Sequence, residues 1–174
     1  GDTPWTPCSE DDADRPQFEG MVADADHNAL YLAQENVGVW RIALDAPQDR
    51  DQWQLFARAA QFGVPYERHW DESEGEFSCK LRPERDPGLG EPHLQVDLEG
   101  LTIYDAGEGK GYLLLSSQGD NTVAVYERGG SNRYMGSFRV DDGDGVDAVA
   151  ETDGLMVTNV ALGEAFPAGL LVLH

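Results

Sequence analysis

Three acidic residues along this chain are each followed by a glycine, an apolar residue and then strand-like sequence. They are Glu19 in EGM, Glu99 in EGL and Asp153 in DGL, and each precedes apolar, strand-like sequence. Carboxylates suit hard cations such as Ca²⁺, which takes about six to eight oxygen ligands. If the three steps are equivalent parts of a repeated fold, their carboxylates converge, and such a cluster needs a cation to neutralise it. The alternative is that each acid caps its own turn.

Other acids lie close to these three in sequence. Asp97 precedes Glu99 by two positions, and Glu35 follows the YLAQ segment, so both are candidates for the same cluster. An acid- and glycine-rich bend precedes Leu155 and contains Asp141, Asp142, Asp144, Asp147, Glu151 and Asp153. This bend does not fit an EF-hand loop, because Val146 and Asp147 stand where that loop needs a third ligand and a glycine. Its carboxylate and carbonyl oxygens suit a hard cation, and a solvated loop is the alternative.

Short strands would have to position these acids. Residues 97–128 contain three apolar or alternating runs separated by a glycine-rich turn and a polar turn, which indicates three strands. Residues 19–44 and 153–174 repeat this plan. A repeat of this kind is typical of propeller blades. We therefore predict an all-β fold of four-stranded antiparallel β-propeller blades, present here as about two and a half blades.

The repeats divide the chain into five parts within a single partial propeller domain. They are an entry segment at residues 1–17, a blade at 18–62, an inserted polar loop at 63–96, a blade at 97–140 and an incomplete blade at 141–174. Residues 53–62 fit either the outer strand of the first blade or a short helix. Two and a half blades do not close a ring, so we expect the remainder of the propeller to come from the same gene or from another chain.

The charge of the chain limits the kinds of partner that it can have. Among 174 residues there are 33 acids and 12 Lys and Arg, a formal net charge of −21. Such a surface repels nucleic acids and anionic membranes and attracts cations. No apolar run approaches the roughly 18 residues of a membrane span. A solubility surface, as in a protein from a saline habitat, is the other explanation of the charge.

The chain contains two cysteines, Cys8 and Cys79. They lie far apart in sequence, among acids and without a histidine at ligand spacing, so they are poor zinc ligands. A single disulfide in an exported protein and two unrelated thiols both remain open.

Three segments together resemble the second half of the β-propeller (alkaline, calcium-dependent) phytases. They are EGMVADADHNALYLAQENVGVWRI, LEGLTIYDAGEGKGYLLLSSQGDNTVAVYERGGSNRYMGSFRV and ETDGLMVTNVALGEAFPAGLLVL. The resemblance implies a six-bladed propeller that removes phosphates from myo-inositol hexakisphosphate (phytate). In that family, several calcium ions at the channel mouth bind substrate phosphates and activate a water that attacks phosphorus. The family's Asp-Gly-Ile-Asp step appears here as Asp153-Gly154-Leu155-Met156, with one acid fewer.

The resemblance also implies roles for individual acids. Catalytic roles, with calcium or water, fall on Glu19, Glu35 and Asp97. Calcium ligands fall on Glu19, Glu99, Asp147 and Asp153. The implied substrate is phytate or calcium-phytate, and the implied location is secreted or periplasmic.

This chain is expected to be inactive alone, because the family's substrate-binding Lys, Arg and Tyr come mostly from the first half of its propeller. The main competing hypothesis is a non-catalytic, calcium-stabilised propeller module for binding or assembly. An esterase or lactonase propeller is disfavoured, since the four histidines are not at repeat-equivalent positions.

Overall fold

A computed structural model describes residues 5–9, 15–143, 145 and 147–174. The first blade is a four-stranded antiparallel sheet in chain order. Its strands are β1 (Phe18–Asp24), β2 (Ala29–Gln34), β3 (Gly38–Ala43) and β4 (Gln54–Arg58). A short 3₁₀ turn, Arg50–Gln52, precedes β4. The predicted blade is confirmed, and of the two possibilities for residues 53–62 the outer strand is the correct one.

The sequence predicts an inserted loop at residues 63–96, and this prediction is wrong in part. The segment contains an antiparallel hairpin of β5 (Tyr66–Asp71) and β6 (Glu76–Leu81), followed by a 3₁₀ turn at Pro83–Arg85. Both strands are largely exposed, with no continuous buried face. The chain then returns to the core at Leu94, which is fully buried.

The second blade repeats the first. Its strands pair in chain order and are β7 (Leu98–Gly107), β8 (Lys110–Ser117), β9 (Thr122–Glu127) and β10 (Tyr134–Phe138), with a 3₁₀ turn at Gln118–Asp120. A further sheet has two antiparallel strands, β11 (Leu155–Thr158) and β12 (Leu170–Leu173). The incomplete third blade predicted from the sequence is therefore present. No helix among the described residues is long and apolar enough to cross a membrane.

The core lies between the blades and is built from alternating strand positions. Along β2, Ala29, Tyr31 and Ala33 are fully buried while the residues between them are half-buried, as the two-residue period of a strand requires. Phe56 of the first blade makes edge-to-face contacts with Tyr31 and with Tyr126 of the second blade, at centroid distances of 5.8 and 5.6 Å. The blades therefore share one hydrophobic core.

An arginine also joins the two blades. The guanidinium of Arg128, just after β9, donates from Nε and Nη2 to both carboxylate oxygens of Asp24 on β1, at 2.9 and 2.8 Å. It also pairs with Asp26 and Asp105, at 2.8 and 2.9 Å. The Arg128 side chain is 6% exposed and that of Asp24 is fully buried. Burial would raise the pKa of Asp24, but the hydrogen bonds from Arg128 and His27 outweigh it and lower that pKa.

A disulfide fastens the entry segment to the inserted hairpin. Cys8 and Cys79 are bonded, with a Cα–Cα distance of 6.0 Å. Nearby, Trp5 packs on Phe62 with ring centroids 5.1 Å apart and donates from Nε1 to the carbonyl oxygen of Val64. Of the two possibilities for the cysteines, the structure therefore has the disulfide.

Removing this disulfide should destabilise the chain substantially. The bond closes a loop across a sequence separation of 71 residues. A disulfide typically adds about 2–4 kcal/mol to the free energy of unfolding. We expect the Cys8→Ser/Cys79→Ser double variant to lose that much free energy of unfolding in urea. Wild-type protein unfolded with reductant should match the double variant. Unchanged urea midpoints in both samples would contradict this prediction.

Candidate metal centre

The acid–glycine steps stack on one another at the start of the first strand of each sheet. A Cβ atom added to Gly20 would overlap the carbonyl oxygen of Glu99. One added to Gly100 would crowd the carbonyl oxygen of Asp153, to which the Gly100 N–H donates at 2.7 Å. Glycine thus allows each first strand to approach the next closely. This packing brings the backbones of Glu19, Glu99 and Asp153 side by side.

The turn after the second strand of each blade lies against the residues that precede the first strand of that blade. The N–H of Glu35 donates to the carbonyl oxygen of Gln17, just before β1, and the N–H of Gln118 donates to that of Asp97, just before β7. Glu35 and Gln118 are therefore equivalent positions in successive blades. The carbonyl of Glu35 accepts from the N–H of Leu98 at 2.9 Å, which attaches this turn to the second blade.

The side chains of these acids meet. Carboxylate oxygens of Glu35, Asp97 and Glu99 all lie within 4.8 Å of one another. Burial, together with the charges of Glu19, Asp97, Asp153 and Glu35, raises the pKa of Glu99 to about 7. Burial also raises the pKa of Asp97. Five carboxylates thus contribute to one electrostatic cluster, which includes all three acid–glycine steps.

A neutral amide supports this cluster, and the sequence analysis does not single it out. Gln118 donates from Nε2 to Oδ1 of Asp153 at 2.7 Å. A usable signal was present for Gln118, because the repeat aligns its turn with the turn of Glu35.

Asp147 is the predicted ligand that the structure does not bring into this cluster. It lies exposed in the bend before β11, and its charge is not among those that raise the pKa of Glu99. The backbone of this bend is held by its own contacts, including an N–H donated from Ala148 to Oδ1 of Asp142 at 2.7 Å. Asp144, another acid of the bend, lies outside the described residues.

The donor set fits a hard divalent cation. Calcium binds oxygen at about 2.3–2.6 Å, so two ligand oxygens on opposite sides of one ion lie about 5 Å apart. Carboxylate oxygens of Glu35, Asp97 and Glu99, all within 4.8 Å of one another, are close enough to bind the same ion. Burial and the neighbouring acids raise the pKa of Glu99 to about 7, and a cation bound beside it would favour the ionised form. These three acids could hold one metal ion.

The stability of the metal-free chain should depend on this cluster. The pKa of Glu99 is about 7 when folded, above its ordinary value of 4.5, so the folded state binds more protons than the unfolded state between these values. The free energy of unfolding should therefore fall as pH rises from about 4.5 to about 7, and this contribution should level off above that. Urea unfolding with chelator at several pH values measures this dependence. A slope equally steep in Glu99→Gln would contradict its assignment to Glu99.

The fold and the site define a class, a β-propeller with an acidic edge that could bind a metal ion. Comparison with known proteins gives the family. A sequence model of the family described as Phytase matches residues 85–174, which is more than half of the chain. A curated relative, the 3-phytase of Bacillus subtilis (strain 168), is 36% identical over 156 residues, or 90% of this chain and 33% of that protein. The chain belongs to the phytase family, and it spans about a third of the length of this relative.

Proposed function

We propose that this chain supplies the acidic, calcium-binding part of a phytase active site. The enzyme would hydrolyse phosphomonoesters of myo-inositol hexakisphosphate, free or as its calcium salt. The observation that carries the proposal is the cluster of Glu35, Asp97 and Glu99, with carboxylate oxygens within 4.8 Å of one another. Membership of the phytase family supports the substrate, and the all-oxygen donor set supports calcium.

The residues divide into groups with different tasks. Glu35, Asp97 and Glu99 would hold a first ion, and we propose that Glu19 and Asp153, whose charges also act on Glu99, bind others. Calcium supplies positive charge for the substrate phosphates and activates the attacking water. The catalytic roles proposed for Glu19, Glu35 and Asp97 would be to fix that positive charge and to orient water.

Proton release should accompany calcium binding. Since the pKa of Glu99 is about 7, a large fraction of this group carries a proton at neutral pH in the metal-free chain. A cation bound beside it favours the ionised form and displaces that proton. Calcium affinity would therefore rise with pH across neutrality, in keeping with a calcium-dependent enzyme of the alkaline type.

The proposal includes partners beyond this chain. The basic groups needed to hold a polyphosphate are few, with 12 Lys and Arg against 33 acids. We propose that the remainder of the propeller supplies them, which agrees with the chain spanning about a third of its relative. The disulfide between Cys8 and Cys79 supports secretion or export to the periplasm. Asp147 is proposed as a further ligand.

Phosphate release from phytate tests this function. We expect the complete protein that contains this chain to release phosphate when calcium is present. Activity should disappear with a calcium chelator and return when calcium is added in excess. This chain alone should bind calcium without releasing phosphate. If the complete protein binds calcium and releases no phosphate, a calcium-stabilised module for binding or assembly replaces the enzyme.

A further inference from the structure

The end of the entry segment lies against the turn that carries Glu35. The backbone N–H of Gln17 donates to Oε1 of Glu35 at 3.1 Å, and the carbonyl oxygen of Gln17 accepts from the N–H of Glu35 at 3.1 Å. The carbonyl oxygen of Pro16 accepts from Nε2 of Gln34 at 3.1 Å. Three hydrogen bonds therefore join the two segments, and one of them ends on the carboxylate of a candidate metal ligand.

The side chain of Gln34, at the end of β2, holds the entry segment in this place. Its Oε1 accepts a hydrogen bond from the indole Nε1 of Trp40 at 2.9 Å. An indole N–H can only donate, so the Gln34 amide presents its oxygen to Trp40 and its NH₂ group to the carbonyl oxygen of Pro16. Trp40 is buried, with 7% of its surface exposed, and is therefore a fixed point in the first blade. The sheet thus sets the orientation of Gln34, and with it the place of Gln17.

We propose that the backbone N–H of Gln17 positions the Glu35 carboxylate for metal binding, which makes the entry segment part of the metal site. The inference rests on the proposed function, since Glu35 is a ligand of the first ion assigned there. A carboxylate has about four lone-pair sites, so a hydrogen bond to Oε1 leaves room for a cation. This charge-assisted bond limits where the carboxylate can lie relative to Asp97 and Glu99. The loss of groups that hold metal ligands typically costs about 10–100-fold in affinity.

A neutral donor suits this place. A lysine or arginine beside Glu35 would also orient its carboxylate, but its positive charge would repel a cation bound a few ångströms away. A peptide N–H orients the carboxylate without adding a net charge, so the negative charge of the acid cluster stays available to the metal. The Gln17 side chain is exposed, and the contact uses only the main chain. Substitutions of Gln17 that keep the N–H should therefore keep the positioning.

Calcium titration of the chelator-treated 174-residue chain tests the proposal. Gln17→Pro removes the N–H, and we expect it to weaken calcium binding about 10-fold. Gln17→Ala keeps the N–H and should rescue the affinity to within about 2-fold of wild type, as expected of a contact that the main chain makes.

A second pair of variants releases the entry segment without removing the N–H. Gln34→Met keeps approximate size, removes the hydrogen bond to Pro16 and should weaken calcium binding by a smaller factor, about 3-fold. The double variant Gln17→Pro/Gln34→Met should be no weaker than Gln17→Pro, because Gln34 acts only through the position of that N–H. Gln54→Met, an exposed substitution at the start of β4, is the control for Gln34→Met and should bind like wild type.

Thermal unfolding with chelator separates positioning from stability. We expect the unfolding temperatures of Gln17→Pro and Gln17→Ala to stay within about 3 °C of wild type. Gln34→Met should unfold at a lower temperature than either, because it leaves the buried Nε1 of Trp40 without its acceptor. The order of calcium affinities should therefore be the reverse of the order of stabilities, which a merely structural role would not produce.

The possible failures point to different parts of the account. Equal affinities in wild type and Gln17→Pro, or an equal loss in Gln17→Ala, would overturn the positioning role alone, as would losses that simply add in the double variant. Affinities that follow the order of the unfolding temperatures would reduce the role to a structural one and would overturn it too. A wild-type chain that binds no calcium would overturn the proposed metal site, and the positioning role with it.

Discussion

Replacing Glu99 with glutamine should abolish calcium-dependent phosphate release while making the metal-free chain more stable. Burial, and then the charges of the four other acids in the cluster, raise the pKa of Glu99 to about 7. Glutamine keeps the shape and removes the charge. Above pH 7 the variant should gain about 1–2 kcal/mol in free energy of unfolding with chelator, after allowance for solvent screening of a half-exposed group.

The same substitution should reduce calcium affinity and phosphate release on the order of 100-fold or more, because it removes a charged ligand rather than a group behind one. Titration calorimetry, a phytate assay of the complete protein and urea unfolding measure the three effects. Glu108→Gln is the control, since Glu108 is 87% exposed in the turn between β7 and β8. A variant that loses stability in chelator, or retains normal calcium affinity, would contradict the role of Glu99.

Replacing Arg128 with alanine should cause the largest loss of stability among single substitutions of charged residues. Arg128 is 6% exposed and satisfies both oxygens of the fully buried Asp24. Without it, the buried carboxylate of Asp24 loses its arginine partner and keeps only the contact with His27, whose Nδ1 lies 3.0 Å from Oδ2. Breaking a buried pair in this way typically costs about 3–5 kcal/mol.

Urea unfolding at neutral pH measures that loss, and a nearby arginine provides the comparison. Arg133 pairs with Glu127 at 3.4 Å, and both side chains are more than half exposed. Exposed pairs contribute about 0–1 kcal/mol, so Arg133→Ala should be close to neutral. Similar losses in Arg128→Ala and Arg133→Ala would contradict the claim that the buried ion pair of Arg128 and Asp24 stabilises the fold.

The parts predictable from the sequence were those with local, repeated signals. Strand alternation and the acid–glycine steps were sufficient to predict the blades. They also indicated that Glu19, Glu99 and Asp153 would converge, because equivalent positions in stacked blades are neighbours. The glycines of these steps explain how the three acids come together, since Gly20 and Gly100 permit the close approach of successive first strands.

The parts that escaped prediction lack such signals. The hairpin of β5 and β6 buries neither face fully. Phe77, Cys79 and Leu81 alternate along β6, but this short signal lies in a polar, proline-containing segment that resembles a loop. The hydrogen bond from Gln61 to Asn36 forms only when the turn after β4 folds back on the first blade. Contacts of this kind depend on tertiary structure and leave no period in the sequence. Asp147, in contrast, was a candidate by resemblance, and its role as a ligand stays a prediction.

Locating calcium in crystals of the chain grown with the ion would test the central claim most directly. The account predicts anomalous scattering from an ion bonded to carboxylate oxygens of Glu35, Asp97 and Glu99 at about 2.3–2.6 Å. It further predicts that this ion is lost in crystals of Glu99→Gln. Calcium bound only elsewhere on the acidic surface, with these three side chains free of metal, would contradict the account.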